Sequence, residues 1–210
     1  NVDLGFTPAT TMAIVQQIRP LASGKILYSS GGRLARLNSD GSVDSSYVFP
    51  TSITAIQRKW SISSTEQTVF YASVPDGSYR FFRLNDDGDI DASFNPNVSI
   101  FGQAYALAVQ PDNKTIVAGS FSLANSASRT NIARFNVDGT TDTAFNPGTG
   151  FNQVPSRIVV QTDGKILVAG PFTTFNGSSV SGLVRLNSNG SLDAAFAPVL
   201  TGVNGTELEP

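Results

Sequence analysis

The sequence predicts an all-β fold, a β-propeller or propeller segment built from four blade repeats of about 50 residues. Three observations predict it. The segment Arg36–Tyr47 returns as Arg83–Phe94, as Arg134–Phe145 and as Arg185–Phe196, with Arg spacings of 47, 51 and 51 residues. A second block, Val109–Phe121, matches Val160–Phe172, with weaker echoes at Ser23–Leu27 and Ala55–Gln57. No segment carries a sustained apolar stripe at helical spacing; the apolar runs are short and bounded by Asp, Gly and Pro, as strands are.

The repeats divide the chain. Residues 1–8 read as the tail of a preceding repeat, because Asp3-Leu4-Gly5-Phe6-Thr7-Pro8 parallels Asp193-Ala194-Ala195-Phe196-Ala197-Pro198. Blade repeats then occupy 9–50, 51–97, 98–148 and 149–198. Residues 199–210 read as the start of a further repeat or a linker, since Gly202-Val203-Asn204 resembles Gly150-Phe151-Asn152. The chain is therefore expected to be part of something longer. Within a unit, Ala106–Gln110 and Lys165–Ala169 are expected strands. Asp112-Asn113 and Asp163-Gly164 are expected two-residue hairpin turns, where positive φ favours Asn or Gly. A second turn, Asp40-Gly41 and its copies, follows the Arg-Leu-Asn strand, so three to four short strands make each unit.

The positions that recur in every copy point to structure, because an active site needs its residues once. Two readings of the Arg…Asp spacing compete. Asn38, Asp40 and Asp44 are spaced like the end of a calcium loop, with Gly41 at the sharp turn. Arg36, however, stands where such a loop would place another carboxylate, and a guanidinium there neutralises Asp44 by a bidentate pair. The second reading is preferred. It makes Arg36–Asp44, Arg83–Asp91, Arg134–Asp142 and Arg185–Asp193 structural ion pairs, with no metal and no cofactor. Phe6, Tyr47, Phe94, Phe145 and Phe196 close the units and are expected to wedge between neighbouring blades. Lys25, Lys114 and Lys165 are expected to be solvated hairpin residues.

A ligand site is expected where the repeats differ. Residues 58–66 carry the only tryptophan, Trp60. Loops Phe121–Arg129 and Phe172–Val180 are rich in Asn, Ser and Gly, with Phe175 and Asn176 among them; Phe101, Tyr105 and Phe151 lie on the approaches to the last two blades. Aromatic rings beside amides and hydroxyls suit a glycan. Enzyme readings are weaker. Glycoside hydrolysis wants two carboxylates at about 5–10 Å. Outside the repeated motif, Asp76, Asp112 and Asp163 are explained by turns, and Glu66 has no visible partner.

The two repeated blocks, Val-Gln-x-Asp-Gly-Lys-Ile-Leu-Val-x-Gly-x-Phe and Arg-Leu-Asn-x-Asp-Gly-x-x-Asp-x-x-Phe, resemble the delta-60 or DUF5122-type β-propeller repeat. The resemblance is strong over 104–198 and weakens over 51–80, where Arg58-Lys59-Trp60 and Thr65-Glu66-Gln67 replace the Asp-Gly-Lys turn. It implies a propeller fold and a place in a large secreted or surface bacterial protein, and it implies no activity.

Composition removes other classes. There is no cysteine and no histidine in 210 residues, which excludes a disulfide framework, a thiolate nucleophile and an imidazole base. A net charge of -2 with 14 Lys+Arg leaves no basic face for nucleic acid. The apolar runs are too short for a helix that spans or inserts into a membrane. The resulting expectation is a non-catalytic extracellular or cell-surface scaffold, mediating adhesion, matrix or filament assembly through a protein partner or self-association. The alternatives are a carbohydrate-binding module of a secreted protein and a carboxylate-based polysaccharide hydrolase or lyase.

Overall fold

The computed structural model describes residues 5, 14–94, 100–123 and 129–198, with side chains described for all of these except 57–59, 100–102 and 122–123. The expected terminal segments, apart from Gly5, and the closing Phe6 lie outside them. Four three-stranded antiparallel sheets follow one another along the chain. The first holds β1 (Val15–Pro20), β2 (Ile26–Ser30) and β3 (Arg33–Leu37), and the second β4 (Ala55–Ile62), β5 (Thr68–Ser73) and β6 (Tyr79–Leu84). The third holds β7 (Ile100–Val109), β8 (Thr115–Leu123) and β9 (Thr130–Phe135). In the fourth, β10 (Arg157–Val160) and β11 (Ile166–Ala169) are joined by β14 (Leu183–Leu186), after a ribbon of β12 (Thr174–Phe175) and β13 (Ser178–Ser179). A fourth strand survives in each sheet as one bridge: Leu37 to Val43, Leu84 to Ile90, Phe135 to Thr141 and Leu186 to Leu192. The fold is all-β, a propeller segment of blade repeats.

The middle strands are buried on both faces, so they read as continuous apolar runs rather than alternations. Thr68–Ala72 of β5 is buried throughout, whereas β1 at its sheet's edge is almost wholly exposed. Two compact units result, Asn1–Ala92 and Ser93–Pro210. The first packs Leu27, Ile53, Trp60, Phe70 and Leu84 together. The second packs Ile116, Ile132, Phe145, Phe151, Phe172 and Phe175.

The turns differ from the expected two-residue hairpins. Asn113 N–H donates to the Gln110 carbonyl at 2.9 Å, and Gln110 N–H to the Lys114 carbonyl at 2.8 Å. Only Asn113 has positive φ, at 62°, and its copy Gly164 has 79°. This is a three-residue loop, a turn followed by one left-handed residue, where a two-residue type I′ turn needs two. The Asp40-Gly41 turn closes in the same way, with Gly41 N–H on the Asn38 carbonyl at 3.0 Å, and Asp40 Oδ1 braces it by accepting from Ser42 N–H at 2.9 Å.

Candidate functional site

The repeated Arg and Asp meet because the chain reverses between them. Asp44 N–H donates to the Arg36 carbonyl at 2.9 Å, as Asp91, Asp142 and Asp193 do to Arg83, Arg134 and Arg185. That ladder sets the side chains next to one another. Asp44 Oδ2 lies 2.7 Å from Arg36 Nε, Asp142 Oδ2 lies 2.8 Å from Arg134 Nε, and Asp193 Oδ2 lies 2.7 Å from Arg185 Nε. In the second repeat Arg83 Nε donates to Asp91 Oδ2 at 2.7 Å. The pairing is not the expected bidentate fork. One carboxylate oxygen serves the guanidinium through Nε, and the other turns back to the chain, Asp142 Oδ1 accepting from Ala144 N–H at 2.9 Å.

The lysines expected in solvent belong to these centres. Lys25, Lys114 and Lys165 place Nζ 2.9, 2.9 and 2.8 Å from Asp44, Asp142 and Asp193 Oδ2. The hairpin turn brings the ammonium onto a carboxylate that already faces the guanidinium. In the second repeat Gln67 Nε2 takes the lysine's place on Asp91 at 3.2 Å. Hydrogen bonds from Ser46 and Lys25 hold the Asp44 carboxyl far below its ordinary value of 3.8. Lys165 first, then Arg185, hold Asp193 at about 2. At Asp142 burial pushes upward, and Lys114, the Ala144 N–H and Arg134 outweigh it, so its pKa is also lowered.

Because Nε faces the Asp, joined by Nη2 in the second repeat, Arg Nη1 is available in the first and third repeats to reach the next one. In the first unit Arg36 Nη1 donates to the Asp86 carbonyl and sits 2.7 Å from Asp86 Oδ1. In the second, Arg134 Nη1 donates to the Ser188 carbonyl at 2.6 Å. Asp86 and Ser188 occupy the same position, three residues beyond their own repeat's Arg. One residue further on, the Asp87 carbonyl accepts from Val48 N–H at 3.0 Å and the Asn189 carbonyl from Asn146 N–H at 2.7 Å. The turn glycine that follows is pressed against the same chain. A Cβ on Gly88 would stand 2.8 Å from the Val48 carbonyl oxygen, and one on Gly190 3.0 Å from the Phe145 ring. The guanidiniums also lie over the closing aromatics, 4.9 Å from the Tyr47 centroid, 5.0 Å from Phe145 and 4.7 Å from Phe196.

The calcium alternative is not assembled. Asn38 Nδ2 donates to Ser42 Oγ at 2.9 Å, Asp40 serves its own turn, and Asp44 faces Arg36 and Lys25. Among the described residues no group of three or more acidic side chains is placed to hold a metal ion.

The aromatic candidates are corrected by burial. Trp60, Phe151 and Phe175 are 3%, 2% and 1% exposed, too enclosed to offer a ring face to a sugar. Trp60 sits opposite Phe70 across β4 and β5, and Phe151 packs 4.3 Å from Phe172 and 4.6 Å from Phe175. Tyr105 is exposed because β7 bulges between Ala104 and Ala106, and its hydroxyl donates to Gln103 Oε1 at 2.8 Å. Asn176 serves the loop, its Oδ1 accepting from Thr149 N–H at 3.1 Å. The side chain of Phe101 and residues 124–128 lie outside the described set. Glu66 is not partnerless, since its Oε1 accepts from Ser23 N–H at 2.7 Å. It lines an open groove of about 310 Å³ with Arg19, Leu21, Ser61, Ser63 and Ser64, which the sequence did not signal.

A family model described as "Domain of unknown function (DUF5122) beta-propeller" matches residues 21–47, 110–145 and 161–196. No curated protein sequence matches the chain. Among solved structures, a gluconolactonase from Xanthomonas campestris is similar at 14% identity and TM-score 0.54, covering 86% of this chain and 61% of that one. A second protein assigned as a gluconolactonase gives 15% identity and TM-score 0.51, covering 85% and 61%. A luciferin-regenerating enzyme gives 19% identity and TM-score 0.43, covering 85% and 60%. The chain thus spans about 61% of the length of the gluconolactonase structures, and at these identities the likeness extends to the fold alone. It still overturns the expectation of a non-catalytic scaffold. That expectation rested on recurrence, on the absence of histidine, cysteine and a free carboxylate pair, and on the family resemblance, and folds of this form belong to gluconolactonases. Among the described residues no helix is long and apolar enough to cross a membrane. Fold, repeated blocks and family match agree: the first, third and fourth repeats match the DUF5122 β-propeller repeat over residues 21–47, 110–145 and 161–196.

Proposed function

We propose that this chain supplies blades to a longer β-propeller, in which the Arg–Asp–Lys centres of the first and third repeats latch each of those blades to the next. The observation that carries the reading is the double occurrence of one contact: Arg36 on the Asp86 carbonyl in one unit, Arg134 on the Ser188 carbonyl in the other. Each bond is charge-assisted and half-buried, and each fixes the turn of one sheet on the guanidinium of the sheet before it. Hydrogen exchange tests the reading. The sheets at 100–135 and 157–186 should open with one shared free energy, and Arg134→Met should separate them. Two independent opening energies in the unaltered protein refute it.

A second reading concerns chemistry: hydrolysis of a lactone-type small molecule by the assembled propeller. The likeness to the gluconolactonase fold favours it. On this reading the reacting groups stand at positions that differ between repeats, because the repeated acids are already engaged with cations. Turnover of a panel of sugar lactones by the full-length protein tests it, and no rate above the uncatalysed one refutes it. The location that goes with both readings is outside the cell, as the DUF5122 resemblance implied, and fractionation of the host checks it.

A further inference from the structure

The last repeat carries the same latch with no guest turn on it among the described residues. Arg185 pairs with Asp193 through Nε at 2.7 Å and stacks over Phe196, as Arg134 does with Asp142 and Phe145. Beyond that point the two copies differ. Arg134 donates to the Ser188 carbonyl and has an 8% exposed side chain, whereas Arg185 makes no bond outside its own repeat among the described residues and is 22% exposed. Phe145 is fully buried and Phe196 only half-buried; Pro147 is buried and its copy Pro198 half-buried. Arg185 and Phe196, left open in the fourth repeat, are the copies of Arg134 and Phe145, which the following turn meets in the third.

What fits this seat is also visible. In both occupied latches the guest offers two successive backbone carbonyls, Asp86 and Asp87 or Ser188 and Asn189, to a guanidinium and a main-chain N–H. The next residue is a glycine with φ near +90°, Gly88 at 91° and Gly190 at 88°, lying where a Cβ would strike the host chain. Guest side chains vary, Asp86-Asp87 in one and Ser188-Asn189 in the other; the backbone contacts are common to both, and Asp86 adds its carboxylate to Arg36 in the first.

We infer that Arg185, Phe196 and the main-chain N–H of Ala197 form an interaction surface for the Asp-Gly or Asn-Gly turn of a further repeat of this kind. This inference rests on the blade reading above and names the partner of its latch. A longer chain tests it, made by repeating residues 148–198 directly after Pro198, which follows the register of Pro147-Gly148. The added repeat should resist proteolysis. Arg185→Ala should then lower the melting midpoint about twice as far as it does in the unextended chain, matching Arg134→Ala, since a charge-assisted bond between repeats is lost as well as the local pair. Gly190→Val within the added copy should return the Arg185→Ala loss to its unextended size. A protected repeat with an unchanged Arg185→Ala loss overturns the latch and leaves the blade reading standing. An added repeat that is digested overturns the blade reading as well.

Discussion

Removing the guanidinium of Arg134 should unfasten the second unit. Arg134→Met keeps the apolar stem and deletes four things: the Nε bond to Asp142, the Nη1 bond to the Ser188 carbonyl, the longer Nη1 bond to Gln110 Oε1 at 3.3 Å and the cation over Phe145. Breaking a buried pair by removing one partner costs about 3–5 kcal/mol, because the other charge is left behind. Here the orphaned Asp142 keeps Lys114 at 2.9 Å and the Ala144 N–H at 2.9 Å, which lowers that term, and Lys114 is 29% exposed and partly screened by water. The lost bond between repeats restores about 1 kcal/mol to the total. We expect a loss of about 3 kcal/mol, which in a chain of this size lowers the melting midpoint by roughly 6–12 °C. Circular dichroism during thermal and urea unfolding measures it. The double variant Arg134→Met/Asp142→Leu should recover part of the loss, since no charge is then stranded. A single-variant loss below about 0.5 kcal/mol, the range of ordinary surface changes, refutes the buried-latch account.

Three further outcomes follow from the same geometry. The carboxyls of Asp44, Asp142 and Asp193 are held below their ordinary 3.8, so the folded state favours their ionised forms; stability is complete above about pH 4 and falls as pH drops toward 2, and a urea midpoint unchanged between pH 5 and pH 2.5 contradicts this. Gly190→Ala should cost about 1–3 kcal/mol more than Gly164→Ala, because both have positive φ but only the Gly190 Cβ meets the Phe145 ring; equal urea midpoints rule out the close approach. Gln67→Lys should stabilise the first unit by about 0.3–1 kcal/mol, supplying Asp91 with the ammonium its three counterparts have, and a lowered urea midpoint would show that the slot does not accept it.

Much of this architecture was legible because a repeat exposes what each blade needs. The eight-residue step from Arg to Asp recurs unbroken, so two residues joined by a local reversal were visible as a pattern. The lysine was not. It arrives from another hairpin, 28 residues before its Asp in the third and fourth repeats, and no local spacing says which turn will lean over the carboxylate. The contact between repeats was hidden for a different reason. The acceptors common to both cases are main-chain carbonyls, which leave no side-chain signature; the Asp86 carboxylate joins in only one of them, and the glycine beside them marks the place. Trp60 misled by its uniqueness. In a repeat array a singular residue suggests a singular task, yet this one fills core volume against Phe70 in the second sheet.

The same distinction between what recurs and what varies says where chemistry has room. Each centre engages an Arg on the third strand, an Asp at the turn that follows it and, in three repeats, a Lys from the hairpin between the first two strands. The first strands are spared. In the first sheet β1 is almost wholly exposed while β2 is buried, and in the fourth Val159 of β10 is exposed beside a buried β11. The bulge that turns Tyr105 outward lies on the first strand of the third sheet. A blade fastened at one end by charges common to all repeats leaves its first strand to differ from blade to blade. Recurrence therefore bears on fastening, and it carries no weight against catalysis.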